Sequence, residues 1–240
     1  MHCNFLFDLD QTLLNFHASE YKALGIVLRE HGLDFNDDIY DKFKVCNKSL
    51  WLELEKGTIT RTELFTKRFN YVLELAGGDV SKLDALKINN DFINTMAVNG
   101  VLMDGSLDFV KRLKAEIDNC KIYIITNGAT VNAKGRIEST GLNQFIDGLF
   151  VSEDMGVSKP APEYFDIVLR EIAAPKESCI VIGDSLSSDM LGAKNAGLAS
   201  VWFMPTGEDV AGAIQEYEID YTAQDFEELF TVLSQFQPKI

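Results

Sequence analysis

Six short runs rich in β-branched and aromatic residues punctuate the chain: CNFLFDLD (3–10), KIYIITN (121–127), GLFVSE (148–153), CIVIGDS (179–185), ASVWFM (199–204) and a weaker EIDYTA (218–223). Their apolar residues follow one another with little polar alternation. That is the pattern of strands buried on both faces, as in a parallel sheet. Between the later runs lie segments of helical period. GSLDFVKRLKAEI (105–117) sets Leu107, Val110, Leu113 and Ile117 on one side, and TVNAKGRIESTG (130–141) ends in glycine. APEYFDIVLREIAA (161–174) opens with Pro162, and SSDMLGAKNAGL (187–198) closes on Gly197. Strand and helix alternating through short links predict an α/β fold, a doubly wound (Rossmann-like) parallel sheet.

One interval breaks the rhythm. From about Phe16 to Asn99 the pattern is helical throughout: HASEYKALGIVLREHG (17–32), NDDIYDKFKVCNKSLWLELEKG (36–57), TRTELFTKRFNYVLELAGG (60–78) and VSKLDALKINNDFINTMA (80–97). We therefore expect residues 1–15 and 100–240 to form the sheet domain and 16–99 an inserted α-helical bundle. Trp51 and Phe65 are expected in the core of that bundle rather than as a base-stacking platform. The KGTIT loop (56–60) has two readings: a specificity element reaching toward a ligand, or a helix end at Gly57 with Thr60 capping the next helix.

Polar residues collect where the strands end. Asp8 and Asp10 close the first run, Thr126, Asn127 and Gly128 the second, and Asp184 with Asp189 follow the fourth; Lys159 lies in VSKPAPEYF after the third. A carboxylate withdrawn from water costs several kcal/mol unless it is paired or binds a cation. In an open parallel sheet, however, the carboxyl ends of the strands converge on the ligand crevice, where these acids can share one. Oxygen-only ligands with no His or Cys nearby favour Mg²⁺. The same residue types suit phosphoryl transfer. Asp8 can attack phosphorus as a nucleophile. Asp10, two residues on along an extended chain, is expected to point the same way and to protonate the leaving oxygen and then activate water. The Thr126 hydroxyl and the N–H groups of the Thr126–Asn127–Gly128 turn can hold phosphate oxygens, and Lys159 adds a fixed positive charge. Asp184 and Asp189 would complete the metal site.

Composition narrows the partners. Lys and Arg number 22 against 37 Asp and Glu, for a formal net charge of −15. Such a surface lacks the distributed positive charge that a nucleic-acid polymer or an anionic membrane requires, while a small phosphate ester needs only a few local cations. The four cysteines, Cys3, Cys46, Cys120 and Cys179, contain no Cys-x-x-Cys pair. MHCNFLFD lacks the basic-then-apolar form of a signal peptide, and no apolar run approaches the ~18 residues of a membrane span. A reducing cytoplasm is the expected compartment, and the NKS tripeptide at Asn47 carries no glycosylation meaning there. No residue pattern specifies an oligomeric state.

DLDQT, TN, KPAP and GDSLSSD, in that order across residues 8 to 189, resemble the four motifs of the haloacid dehalogenase superfamily phosphatases. The resemblance implies an aspartyl-phosphate formed on Asp8, with Asp10 as acid and base. It implies a metal held by Asp8, the backbone carbonyl of Asp10 and Asp184, with Asp189 either a ligand or a partner to one. It also makes the inserted helices a cap that closes over the site and selects the substrate. The superfamily's dehalogenases lack the second aspartate of the first motif, so Asp10 points to a phosphatase. CNKSLWLELEKGTIT (46–60), GIVLREHGL, IITNGAT and GDSLSSDMLGAKNAGLASVWF further resemble the branch of pyrimidine 5′-nucleotidases that clear noncanonical nucleoside monophosphates. A sugar-phosphate phosphatase or a β-phosphoglucomutase-like enzyme would use the same motifs. A phospho-accepting receiver domain is the non-enzyme alternative, but receivers are about half this length, lack the insertion and keep their aspartyl-phosphate.

Overall fold

The computed structural model describes residues 3–204 and 209–237. Six strands form one parallel sheet: β1 (Cys3–Phe7), β2 (Cys120–Thr126), β3 (Gly148–Val151), β4 (Cys179–Gly183), β5 (Ala199–Phe203) and β6 (Tyr221–Ala223), in the spatial order β3-β2-β1-β4-β5-β6. This is the doubly wound order, whose reversal of direction falls between β1 and β4.

The lack of alternation in the strand sequences has a direct cause, since both faces are covered. Phe5 and Phe7, with Ile122, Ile124, Ile180 and Ile182 on the paired strands, face one core, while Leu6, Ile125 and Val181 face another.

Eleven α-helices occur among the described residues: α1 (Phe16–Glu30), α2 (Asp37–Glu55), α3 (Arg61–Leu75), α4 (Ala85–Val98), α5 (Ser106–Glu116), α6 (Thr130–Ser139), α7 (Ser152–Met155), α8 (Pro162–Ile172), α9 (Leu191–Ala196), α10 (Val210–Tyr217) and α11 (Phe226–Gln235). Phe109, Val110 and Leu113 of α5 and Leu229, Phe230 and Leu233 of α11 cover the first face. Tyr164, Phe165 and Val168 of α8 and Ala193 and Ala196 of α9 cover the second. α7, α10 and α11 lie where the sequence pattern predicts no helix. Between β4 and α9 the expected helix opens instead with a turn of π-helix, Leu186–Met190, in which Met190 donates its N–H to Ser185 O at 3.1 Å. Single π-helical turns of this kind are often found at functional sites.

The chain divides into two compact units, Met1–Phe16 with Gly100–Ile240, and His17–Asn99. The second holds most of α1 and all of α2 to α4. The Thr60 hydroxyl caps α3 by accepting from Glu63 N–H, and Glu63 reciprocates on Thr60 N–H at 2.7 Å, so KGTIT carries a helix boundary. The core of this unit is a triad of rings, Phe43, Phe69 and Phe92, with centroids 5.4 to 6.2 Å apart. Trp51 and Phe65 are not in it. Both are half-exposed, with the Arg61 guanidinium 6.0 Å from the Trp51 ring and Arg68 4.8 Å from Phe65. A buried polar chain runs beside the rings. Arg68 donates to Asn89 Oδ1 and Asn47 Oδ1, Asn47 donates to Glu20 Oε1 at 3.0 Å, and Tyr40 Oη donates to Glu20 Oε2 at 3.1 Å. Asn47 is thus spent inside the bundle.

Candidate active site

The carboxyl ends of β2, β1 and β4 lie side by side, and the polar residues read from the sequence follow them. The chain leaves β1 at Phe7, and Asp8 N–H still donates to Ile182 O of β4 at 2.8 Å. That bond fixes the backbone of Asp8 at the switch point. Its side chain is 11 % exposed. Lys159 Nζ donates to Asp8 Oδ1 at 2.7 Å, to Asp189 Oδ1 at 2.7 Å and to Ile125 O at 2.9 Å, so all three ammonium donors are satisfied inside the protein. Thr12 Oγ1, also buried, lies 3.5 Å from the other oxygen of Asp8.

Asp189 is not a strand-end residue. It lies in the π-helical turn, fully buried, and its carboxylate reaches back so that Oδ2 accepts from Ser185 N–H at 3.1 Å. Gly183 makes this possible, because a Cβ there would sit 2.2 Å from Asp189 Oδ2. Asp184 follows β4, and its carbonyl accepts the indole N–H of buried Trp202 at 2.9 Å. One carboxylate oxygen from each of Asp8, Asp184 and Asp189 falls within 4.8 Å of the others. Three carboxylates against one ammonium leave two formal negative charges in a largely dry space, and the donors are all oxygen. This set fits a hard divalent cation such as Mg²⁺.

The electrostatics agree. Burial lifts the Asp8 carboxyl well above the usual range; Lys159 opposes the shift, and Asp189, Asp184 and Asp10 add to it. Burial, then the Asp189 charge, pushes Asp184 up to about 7. Burial by itself would depress the Lys159 ammonium, yet Asp189 and Asp8 together raise it above its ordinary value. The acids are short of positive charge, while the lysine has more than enough negative charge around it.

Three of the expected site residues have partners that the sequence did not show. Asp10 opens a tight loop in which Leu13 and Leu14 N–H close onto Leu9 O, with Gln11 at φ +62°. The Asp10 carboxylate, whose charge bears on both Asp8 and Asp184, is gripped by Arg136, Nη1 on Oδ1 and Nη2 on Oδ2 at 3.1 Å. The Gly128 N–H is already committed to Thr126 Oγ1 at 3.1 Å, and Thr126 is 2 % exposed. The Asn127 amide pairs with the backbone of Lys159, donating to its carbonyl and accepting from its N–H, both at 2.9 Å. Asn127 therefore fixes the Lys159 loop onto the end of β2.

Arg136, Trp202 and Gly183 escaped the sequence reading. The signal for Arg136 was present, because Ala133, Arg136 and Ile137 share one helical face and a lone cation on an apolar face needs a partner. Gly183 stands in GDSLSSD as the residue before the first acid.

Fold and site together define an α/β hydrolytic enzyme with an acid cluster and a buried lysine at the sheet's switch point. The family model described as haloacid dehalogenase-like hydrolase matches residues 4–197, and the chain belongs to this family. It is 32 % identical over 230 residues to YfnB of Bacillus subtilis, covering 95 % of this chain and 94 % of that protein. A magnesium-bound crystal structure of YfnB superposes with a TM-score of 0.84 at 31 % identity, over 97 % of this chain and 98 % of YfnB. The pyrimidine 5′-nucleotidase YjjG of Escherichia coli is 34 % identical over 197 residues, 82 % of this chain and 83 % of YjjG. The pyrimidine 5′-nucleotidase PynA of Streptococcus pneumoniae is 33 % identical over 223 residues, 92 % of this chain and 91 % of PynA. Among the described residues no helix is long and apolar enough to cross a membrane.

Proposed function

We propose that the protein is a Mg²⁺-dependent phosphomonoesterase whose substrates are pyrimidine nucleoside 5′-monophosphates. The observation that carries the reaction is the meeting of Asp8, Asp184, Asp189 and Lys159 at the ends of β1 and β4. The nucleotide preference rests on the likeness to YjjG and PynA. Four cysteines without a disulfide partner support a reducing, cytoplasmic setting.

In this reading Asp8 attacks the phosphorus and forms an O–P bond as the bond to the ester oxygen breaks. Asp10 gives its proton to the departing alkoxide. Water then attacks the aspartyl-phosphate, its proton passes to Asp10, and Asp8 and inorganic phosphate are released. Lys159 orients the Asp8 carboxylate and meets the charge that gathers on the transferred group. Thr126 and Gly128 hold phosphate oxygens once their mutual hydrogen bond opens, and Asn127 keeps Lys159 in place. Mg²⁺ would be held by Asp8, Asp184 and the Asp10 carbonyl, and when bound it supplies the remaining charge neutralisation. Asp189 braces the site, since both its oxygens already accept protein hydrogen bonds.

The test is phosphate release from nucleoside monophosphates of both base types, sugar phosphates and an aryl phosphate, with Mg²⁺ or EDTA. Selective turnover of UMP, dUMP and dTMP, abolished by EDTA and by Asp8→Asn, is the expected result. Preference for sugar phosphates would move the substrate class and keep the chemistry. An isomerised sugar phosphate in place of free phosphate would mark a mutase. No release from any ester would overturn the reading.

A further inference from the structure

Arg136 is 1 % exposed, yet it is a guanidinium. It projects from the face of α6 that also buries Ala133 and Ile137, so its base is anchored in the sheet domain's core. The Phe16 ring lies 5.6 Å from the guanidinium carbon, and Nε has no hydrogen-bond partner. What offsets the burial is one carboxylate, that of Asp10, which takes the two Nη groups on its two oxygens. A forked pair of this kind fixes the plane of a carboxylate as well as its position. The Asp10 side chain remains 27 % exposed.

We propose that Arg136 is a positioning residue for the reaction, holding Asp10 in the rotamer from which it exchanges a proton with the leaving oxygen. This rests on the phosphatase reading above and adds to it a residue outside the four motifs. Asp10 lies three residues beyond the end of β1, at the opening of a tight loop, and it supplies no oxygen to the cluster of Asp8, Asp184 and Asp189. Within the sheet domain, the fork on Arg136 is therefore what sets the direction of its carboxylate. A purely structural role, pinning the β1 loop to α6, would use the same contact, so the test must separate proton transfer from folding.

Leaving-group chemistry does so. A nucleoside 5′-alkoxide needs a proton as its bond to phosphorus breaks, whereas 4-nitrophenolate leaves without one. The value of kcat/KM reports events up to the first irreversible step, here phosphorylation of Asp8. Arg136→Gln is expected to lower kcat/KM for the best alkyl phosphate of the panel by about tenfold to a hundredfold, the scale of a misplaced general acid. For 4-nitrophenyl phosphate the same variant is expected to lose less than about threefold. Arg136→Lys, which keeps the charge and loses the fork, should fall between. Both substrates are assayed on one preparation, so the ratio of the two values is independent of the fraction that folds. Equal losses on both esters, no loss on either, or a gain on the alkyl ester would overturn the proposal. Hydrolysis of either ester by Asp8→Asn, or of neither by the unaltered protein, would instead count against the phosphatase reading.

Discussion

The ammonium of Lys159 lies 2.7 Å from Oδ1 of Asp8 and, with its side chain 1 % exposed, has no access to bulk water. It holds Asp189 equally closely. Removing one member of a buried ion cluster strands the others, which costs about 3–5 kcal/mol. Lys159→Met should therefore lower unfolding stability by that order in EDTA. With Mg²⁺ present the loss should shrink, because a cation bound only by the folded state takes over part of the neutralisation. Turnover should fall by about a hundredfold or more in either buffer, since a lost electrostatic donor at the reacting group costs at least that. Urea titrations with and without Mg²⁺ read the first effect and phosphate release the second.

Gly183→Ala tests the packing behind Asp189. Its new Cβ would fall 2.2 Å from Asp189 Oδ2, so the carboxylate has to leave its bonds to Lys159 and Ser185. Overpacking of this kind costs about 1–3 kcal/mol. The variant is expected to fold with a lower Tm and to need more Mg²⁺ for half-maximal turnover. An unchanged Mg²⁺ requirement would mean that Asp189 has no bearing on the metal.

The strands and the acids at their ends were legible because each carries its own local signal. Unbroken apolar runs mark strands buried on both faces, and a carboxylate at the end of such a run demands a cation. The partners of those acids were harder to read. Asp10 shares its motif with Asp8 only two residues away, but its carboxylate is held by an arginine 126 positions along the chain. Asp189 looks like a strand-end acid and lies in a π-helical turn, visible only once Gly183 is seen to leave room for it. Trp51 and Phe65 are apolar by type, yet each meets a guanidinium at the half-exposed edge of the bundle. Residue type gave their hydrophobicity, and only packing could give their neighbours.

Arg68 is the corresponding risk in the helical unit. It is 4 % exposed, donates to Asn47 and Asn89, and sits 5.4 Å from the Phe92 ring, while burial holds its guanidinium down to about 10. Arg68→Met leaves both amide oxygens without these donors and Glu20 without a nearby cation. Its cost should be about 3 kcal/mol or more. Glu20→Gln should cost less in the Arg68→Met background than alone, because the charge it removes then lacks its counterpart. A double-mutant cycle by chemical denaturation measures that coupling, and additive losses would mean the two charges do not interact.

Asp184 ties metal binding to pH. Burial and the Asp189 charge raise its carboxyl to about 7, its own backbone and Lys159 pull the other way, and Asp10 adds a little. An unfolded aspartate loses its proton near ~3.9. Between those values the folded chain binds more protons than the unfolded one, so this group's contribution to stability falls as pH rises through the window and levels off above about 7. In EDTA the Tm is therefore expected to fall between about pH 5 and pH 7 more steeply than in Asp184→Asn, which has no proton to lose. Mg²⁺ binds the ionised form, so it must displace whatever proton Asp184 still carries. Its stabilisation should grow over the same range, with proton uptake by the buffer at pH 6 and almost none at pH 8. Calorimetric Mg²⁺ titrations in buffers of different ionisation enthalpy count those protons directly. Equal proton release at both pH values, or in the Asn variant, would assign the linkage to another group.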